Sequence, residues 1–455
     1  MNKITCLLLA LSMGVMTAQA IAAVTPEEAQ RLGSQLTPIG AERAGNDAGT
    51  IPAWTGGLPR DAGALSEEGF LQDPFAGESP LFTITRQNLE QYRAQLSAGQ
   101  LAMFKRYPDT YRMPVYPSHR TTALPDDIYA AIRTSALKTS LIEDGTGLQG
   151  FTDSRYYAFP LPKNGLEAVW NHITRYRGRT LRRNIVQVTP QASGDYTLIR
   201  FEDRIAFPDG LDDLKAKQAS NALFFYTQRV TAPARLAGNV LLVHESIDQV
   251  ALPRMAWQYN SGQRRVRRAP QIAYDSPGTA ADGLATIDNF DMFNGAPDRY
   301  DWKLVGKREL YIPYNNYKID SPSLKYRDIV KPGHTNQDLA RYELHRVWEV
   351  EANLKPGERH IYSKRRFFID EDSWQIALSE QYDARGQLWR VGQVMHLQHY
   401  AAQVPMYAFE TLNDLISGRY LAIGMKNEEK HGIEFGIEVS ASEFTPAALR
   451  NQGIR

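Results

Sequence analysis

Apolar positions along this chain recur first at helical spacing and then, past roughly residue 182, at a spacing of two. Thr25–Pro26–Glu27–Glu28 has the form of a capping box with proline in the first turn, so a short helix is expected to begin here. Helical spacing returns at Leu89, Tyr92 and Leu96, with Gly99 as a stop, and again over Asp126 to Thr139. Leu166, Val169, Trp170 and Ile173 fall at i, i+3, i+4 and i+7 ahead of Gly178, which predicts an amphipathic helix with Trp170 on its core face. Between these, Leu36 to Pro80 is rich in Gly, Pro, Ala, Asp and Thr and reads as an extended arm lying on the domain, pinned by Trp54.

Alternation then predicts strands at Tyr196–Phe207, Leu223–Thr231, Val240–Ile247 and Met255–Tyr259. Asn260–Ser261–Gly262 turns the chain, and Arg264–Ala269 returns as a hairpin partner. A second series follows at Trp302–Pro313, Glu343–Leu354, His360–Ile369, Trp374–Tyr382 and Leu388–Tyr400, with turns at Lys355–Pro356–Gly357–Glu358 and Asp383–Ala384–Arg385–Gly386. Many strands joined by short turns make an antiparallel meander. The fold class is therefore α+β, a large antiparallel sheet preceded by most of the helices. The expected organisation is a signal peptide over residues 1–22, a helix and extended arm over 23–82, and one domain over 83–455.

Composition narrows the function. A hydrophobic fraction of 43% rules out wholesale disorder, and 52 basic against 51 acidic residues argue against a nucleic-acid binder. Met1 to Ala23 has one early cation, an apolar run too short for the ~20 residues of a bilayer span, and small residues at Ala18, Ala20 and Ala22. Those features read as a cleavable signal for export to the periplasm. The single cysteine, Cys6, falls inside that segment, which leaves the mature chain without thiol chemistry or cysteine ligands.

Local motifs for catalysis fail on context. Gly145–Thr146–Gly147–Leu148–Gln149–Gly150 fits a dinucleotide fingerprint by letter, but Phe159–Pro160–Leu161–Pro162 follows where a helix should open. His244–Glu245–Ser246–Ile247–Asp248 lacks the second histidine of a zinc-protease motif and reads as strand. His396 and His399 fall on opposite strand faces. No metal and no cofactor are expected. In Arg264–Arg265–Val266–Arg267–Arg268, alternation gives Arg265 and Arg267 to one face. The cluster serves either as a solvated edge or as a rim holding an anionic head group.

Several segments carry a resemblance. Leu36–Thr37–Pro38–Ile39–Gly40–Ala41–Glu42, Asn164 to His172, Asp288 to Gly295, Arg359 to Arg365 and Ile369 to Trp374 resemble a proteobacterial family of secreted proteins of unknown function, commonly labelled outer-membrane lipoprotein-sorting proteins. The resemblance implies a fold similar to the periplasmic carriers LolA and LolB: a curved half-barrel closed by helices over an apolar cavity. It also implies partnership with exporters of the resistance–nodulation–division superfamily and with outer-membrane β-barrel proteins. It carries over no catalytic residue.

The expectation is a non-enzymatic periplasmic carrier or chaperone for a hydrophobic or lipid-like ligand. The alternatives are an envelope lipid or ester hydrolase assembled from distant residues and a carbohydrate-binding protein. For the carrier, Met255, Trp257 and Tyr259 on one strand face, Trp348 and Val350 on another, and Phe293 are expected to line the cavity. Arg265 and Arg267 are expected near its mouth.

Overall fold

The computed structural model describes residues 24–142, 145–151, 155–269 and 274–454. The signal segment with Cys6, and the end of the arginine hairpin at Pro270, lie outside the described residues.

Helix α1 (Pro26–Ala29) opens on the capping box read from the sequence, with Thr25 Oγ1 accepting the Glu28 N–H. The chain then runs to Leu81 as an arm without helices or paired strands beyond isolated bridges. Two indoles fasten it: Trp54 Nε1 donates to the Thr122 carbonyl and Trp374 Nε1 donates to the Ile39 carbonyl. Gly40 beside Ile39 has φ +93°, and a Cβ there would lie 1.8 Å from the Pro160 oxygen. Only glycine fits that approach.

Leu89–Gln95 forms a 3₁₀ turn, and α2 (Ala98–Arg106) follows. Gly99 does not stop a helix, as its place after Leu96 predicts, but sits in the first turn of α2. Ser97 supplies a capping box there, and the Gly99 N–H donates to Glu380 Oε1 at 2.6 Å. α3 (Asp126–Lys138) and α4 (Gly165–Thr174) match the predicted periods. Asn164 caps α4 by accepting the Glu167 N–H at 2.9 Å, and Trp170 is buried on the core face.

The short strands β1 (Phe82–Ile84), β2 (Met113–Val115), β3 (Ser140–Leu141) and β4 (Leu148–Gln149) precede the main series. The first meander is β5 (Thr180–Val188), β6 (Ile199–Ala206), β7 (Ala222–Ala232), β8 (Val240–Ser246), β9 (Met255–Asn260) and β10 (Arg265–Arg268). The second is β11 (Tyr300–Pro313), β12 (Tyr342–Leu354), β13 (Lys364–Asp370), β14 (Ile376–Tyr382), β15 (Leu388–His399), β16 (Val404–Asp414) and β17 (Tyr420–Met425), with β18 (Glu434–Phe435) returning to β5. One sheet holds both, in the order β1-β2-β12-β13-β14-β15-β16-β17-β5-β6-β7-β8-β9-β10, with β11 also paired to β12. All pairings are antiparallel except β2 with β12. The sheet does not close, because β1 and β10 end it on separate edges.

It is strongly curved. Leu412 on β16 and Leu241 on β8 are five strand spacings apart, about 24 Å in a flat sheet, yet both line one small cavity. The main core fills the concave side, where α4, packed on β11 and β12, brings Val169, Trp170 and Ile173 against Val350, Phe367 and Ile376. The C-terminal helix Leu449–Ile454 packs on β8, β9 and β10.

Candidate ligand cavity

Odd-numbered residues of β8 face the concave side, and the register carries that face outward. Leu241 and Val243 oppose Gln258 and Ala256 on β9. A cavity of about 120 Å³ lies on this face between β7, β8, β16 and β17, roofed by residues 278–294. Phe224, Tyr226, Val243, Leu421 and Phe290 make much of its apolar wall. A groove of about 340 Å³ adjoins it, sharing Gln228, Leu241 and Thr279.

Four buried polar side chains on this wall keep one unpaired atom each: Glu245 Oε1, Asn289 Nδ2, Asn294 Oδ1 and Glu410 Oε2. Three of them are held in place through other atoms. Glu245 Oε2 accepts from Arg254 Nε at 2.8 Å and from Asn294 Nδ2 at 2.8 Å. Arg254 Nη2 also donates to the Asn294 carbonyl at 2.7 Å. Asn289 Oδ1 accepts the Thr286 N–H at 2.9 Å. Burial, with Asp291 nearby, pushes the Glu410 carboxyl up to about 8, so it is mostly protonated at neutral pH. Unpaired buried polar atoms are rare in folded proteins because each forfeits its hydration. Four of the unpaired buried polar atoms among the described residues thus fall on one wall.

The roof is held from behind by buried charge. Asp291, at φ +53°, takes Arg175 Nη2 on both oxygens at 2.5 and 2.6 Å and Arg177 Nη1 at 2.7 Å. These guanidiniums hold its carboxyl well below the usual range despite burial. His172 of α4 donates from Nε2 to the Asp291 carbonyl at 2.7 Å, while its Nδ1 accepts the Ile376 N–H at 3.1 Å. Burial lowers His172 to about 3, which leaves this neutral tautomer. Asp288 pairs with Arg365 at 2.7 Å and His360 at 3.1 Å and is lowered to about 2. The segments that carry the resemblance, around 39, 172, 291, 360 and 374, thus meet through hydrogen bonds around α4 and the roof.

The residues expected to line the cavity are placed otherwise. Met255, Trp257 and Tyr259 do share a face, but it is the outer one: Trp257 lies edge-on to His244, and Tyr259 packs with Phe444 and Leu449 beneath the C-terminal helix. None of the three lines the cavity, although Tyr259 borders the adjoining groove. Trp348 stacks on Trp374 with Lys307 over its ring, while Val350 and Phe293 are packed in the main core. Arg265 and Arg267 are exposed on the terminal strand β10, opposite Asn260 and Gln258 and therefore on the same face as Leu241. Of the polar residues found instead, Glu245 belongs to the incomplete zinc-protease motif at His244, and Asn289 and Asn294 to the segment Asp288–Gly295. Glu410 has no local signal.

A second buried cluster gathers His345, Asp370 and Asp372, whose ligand-type atoms lie within 4.8 Å of one another. The Arg120 fork already holds Asp372 at 2.8 and 2.6 Å, and Glu343 Oε2 engages His345 Nε2 at 3.0 Å. Burial and Asp372 raise Asp370 to about 7, and its Oδ2 accepts from Ser373 and Tyr314. Asp370 Oδ1 is left without a hydrogen-bond partner in this cluster.

The fold and the lined cavity define a large α+β scaffold with a curved sheet, and sequence comparison places it. The chain belongs to the family described as protein of unknown function (DUF1329), whose model matches residues 83–450. It is 60% identical over 445 residues to an uncharacterized protein of Pseudomonas aeruginosa, covering 98% of this chain and 97% of the other. Among solved structures, it is similar to a putative outer membrane lipoprotein-sorting protein domain from Vibrio parahaemolyticus, at 12% identity and TM-score 0.44 over 63% of this chain and 98% of that one. It is also similar to a DUF1329 family protein from Desulfovibrio piger, at 13% identity and TM-score 0.41 over 60% and 92% of the two chains. A LolA superfamily protein from Nitrosomonas europaea matches at 11% identity and TM-score 0.37 over 62% and 98%.

Proposed function

We propose that the protein is a non-enzymatic carrier or chaperone of the periplasm that holds one end of a hydrophobic or amphiphilic molecule beneath residues 278–294. The observation that carries this reading is the small, largely apolar cavity whose wall presents four unpaired buried polar atoms. Apolar walls with a few placed polar groups are the usual make-up of a small-molecule site. The cavity is slightly smaller than the ~150 Å³ void that takes a benzene ring in an engineered protein. It therefore accepts a short segment or ring, and the adjoining groove gives the rest of an acyl-length molecule a path along β8 and β9. An exporter and an outer-membrane barrel protein are the proposed donor and acceptor, reached after cleavage of residues 1–22.

A hydrolase needs a nucleophile and an oriented base at a cleft. The pair Thr110 Oγ1 with His334 Nε2, at 2.9 Å, has its other ring nitrogen on the Thr335 carbonyl rather than on a carboxylate. The carrier therefore fits the described residues better than the hydrolase. Protein purified from the periplasm, analysed by native mass spectrometry and by solvent extraction, is expected to carry a stoichiometric apolar or amphiphilic compound. Protein that is ligand-free and takes up no amphiphile overturns the proposal.

A further inference from the structure

The unpaired atoms of the cavity also say which kind of polar group fits, an inference that rests on the carrier reading. Amide orientation is fixed at both asparagines by their neighbours. Asn294 Nδ2 donates to the Glu245 carboxylate, which can only accept, so the free atom is the oxygen. Asn289 Oδ1 accepts a backbone N–H, so its free atom is the nitrogen. Glu245 is the carboxylate partner of Arg254 and of the Asn294 amide, so its free Oε1 is an acceptor. The unpaired set is then two fixed acceptors, one fixed donor, and Glu410, which accepts when ionised and donates or accepts when neutral.

Charge points the same way. Among the described residues lining the cavity, Arg254 is the cation, and its Nε and Nη2 are already spent on Glu245 and on the Asn294 carbonyl. Glu245 and Glu410 are the acids. An entering carboxylate or ionised phosphate would offer no donor to Glu245 Oε1 and Asn294 Oδ1, leaving both unpaired and bringing like charge to Glu245. A group rich in N–H or O–H donors would pair them. Asn289 Nδ2 then meets a hydroxyl oxygen where the group carries one.

We propose that this cavity takes the donor-bearing head of an amphiphile, an ammonium or a set of hydroxyls, and discriminates against carboxylate and phosphate heads. This inverts the expectation that arginines on β10 select an anion. Those side chains stand at the far edge of the sheet, beyond β9.

The test is displacement of a neutral apolar fluorophore, N-phenyl-1-naphthylamine, from the mature protein at pH 7 and fixed ionic strength. The competitors share a ten-carbon chain and are used below their micelle concentrations: decylamine, monodecanoylglycerol, decanoate and decyl phosphate. The amine, the glyceride or both are expected to displace the dye at least tenfold more tightly than decanoate and decyl phosphate. Preference for the amine alone assigns an ammonium, and for the glyceride alone assigns hydroxyls. Where the amine binds, Glu410→Gln is expected to weaken it at least threefold relative to the glyceride, with the circular dichroism spectrum unchanged. Asn294→Leu is expected to narrow the gap between donor heads and decanoate in a protein that still binds the dye. Displacement by decanoate or decyl phosphate as tight as by the donor heads overturns the inference and leaves the carrier reading standing. If neither the dye nor any competitor binds, the carrier reading falls, and this inference with it.

Discussion

Glu410 shows how one buried carboxyl couples the cavity to pH. Its folded-state value of about 8 lies above the ordinary range because burial and Asp291 disfavour the charged form. The native state therefore binds an extra proton between the unfolded value, about 4.3, and about 8. The stabilisation that proton brings is fully present below that window and is lost as pH rises through 8. Glu410→Gln is expected to flatten the fall in stability between pH 6 and pH 9 and to raise stability at pH 9 by roughly 2–4 kcal/mol. Urea unfolding of both proteins at the two pH values checks this, and parallel curves would show the charge already compensated. Asp291 works in the opposite sense. Asp291→Asn leaves Arg175 and Arg177 buried without their shared carboxylate, and loss of one partner of a buried ion pair costs about 3–5 kcal/mol. The same denaturant titration is expected to show that loss, together with weaker dye binding, because the roof segment loses its anchor.

Among the elements, α4 and the edge of the first meander separate structural from ligand-facing residues. Trp170 is 1% exposed and its Nε1 donates to the Gly145 carbonyl, so Trp170→Ala is expected to cost about 3–5 kcal/mol as a large core deletion. A melt that scarcely moves would deny α4 its place in the core. Trp257, by contrast, lies on the outer face with the C-terminal helix. Trp257→Ser is expected to leave dye affinity within about twofold while making Leu449–Ile454 more sensitive to protease, since the helix loses apolar support. Loss of dye binding with an intact C-terminus would return Trp257 to the site. The elements also show where pattern reading works. The capping box at Thr25 marks a helix start within three residues, whereas Ser97 caps a helix just where Gly99 suggests a stop. β6 alternates buried and half-exposed positions over most of its length and is legible from its letters. β16 is buried at every position, so its letters carry no alternation by which to find it.

At the scale of the molecule, the two meanders are joined side by side through β17 and β5, where Val188 opposes Ala422, and one core draws on both. The main cluster holds Ile205, Tyr226 and Val243 together with Val350, Val394 and Met406. Unfolding of one meander exposes the core face of the other. A single calorimetric transition is therefore expected, and two resolved transitions would mean that each half folds on its own.

What the sequence determined by itself is local: the α4 stripe, the hairpin at 260–264 and the period-2 strands. Each rests on contacts a few residues apart, or on the alternation of a strand with one dry face. Alternation does show that Met255, Trp257 and Tyr259 share a face, but not whether that face meets the cavity or the C-terminal helix, and a one-residue shift in pairing exchanges the two faces. The pairing of β9 with β8, the joining of β17 to β5 and the curl that brings Leu412 near Leu241 are decided by contacts between distant residues. The same is true of the cavity and of Glu245, Asn289, Asn294 and Glu410, which only the curled sheet and its roof bring to one wall.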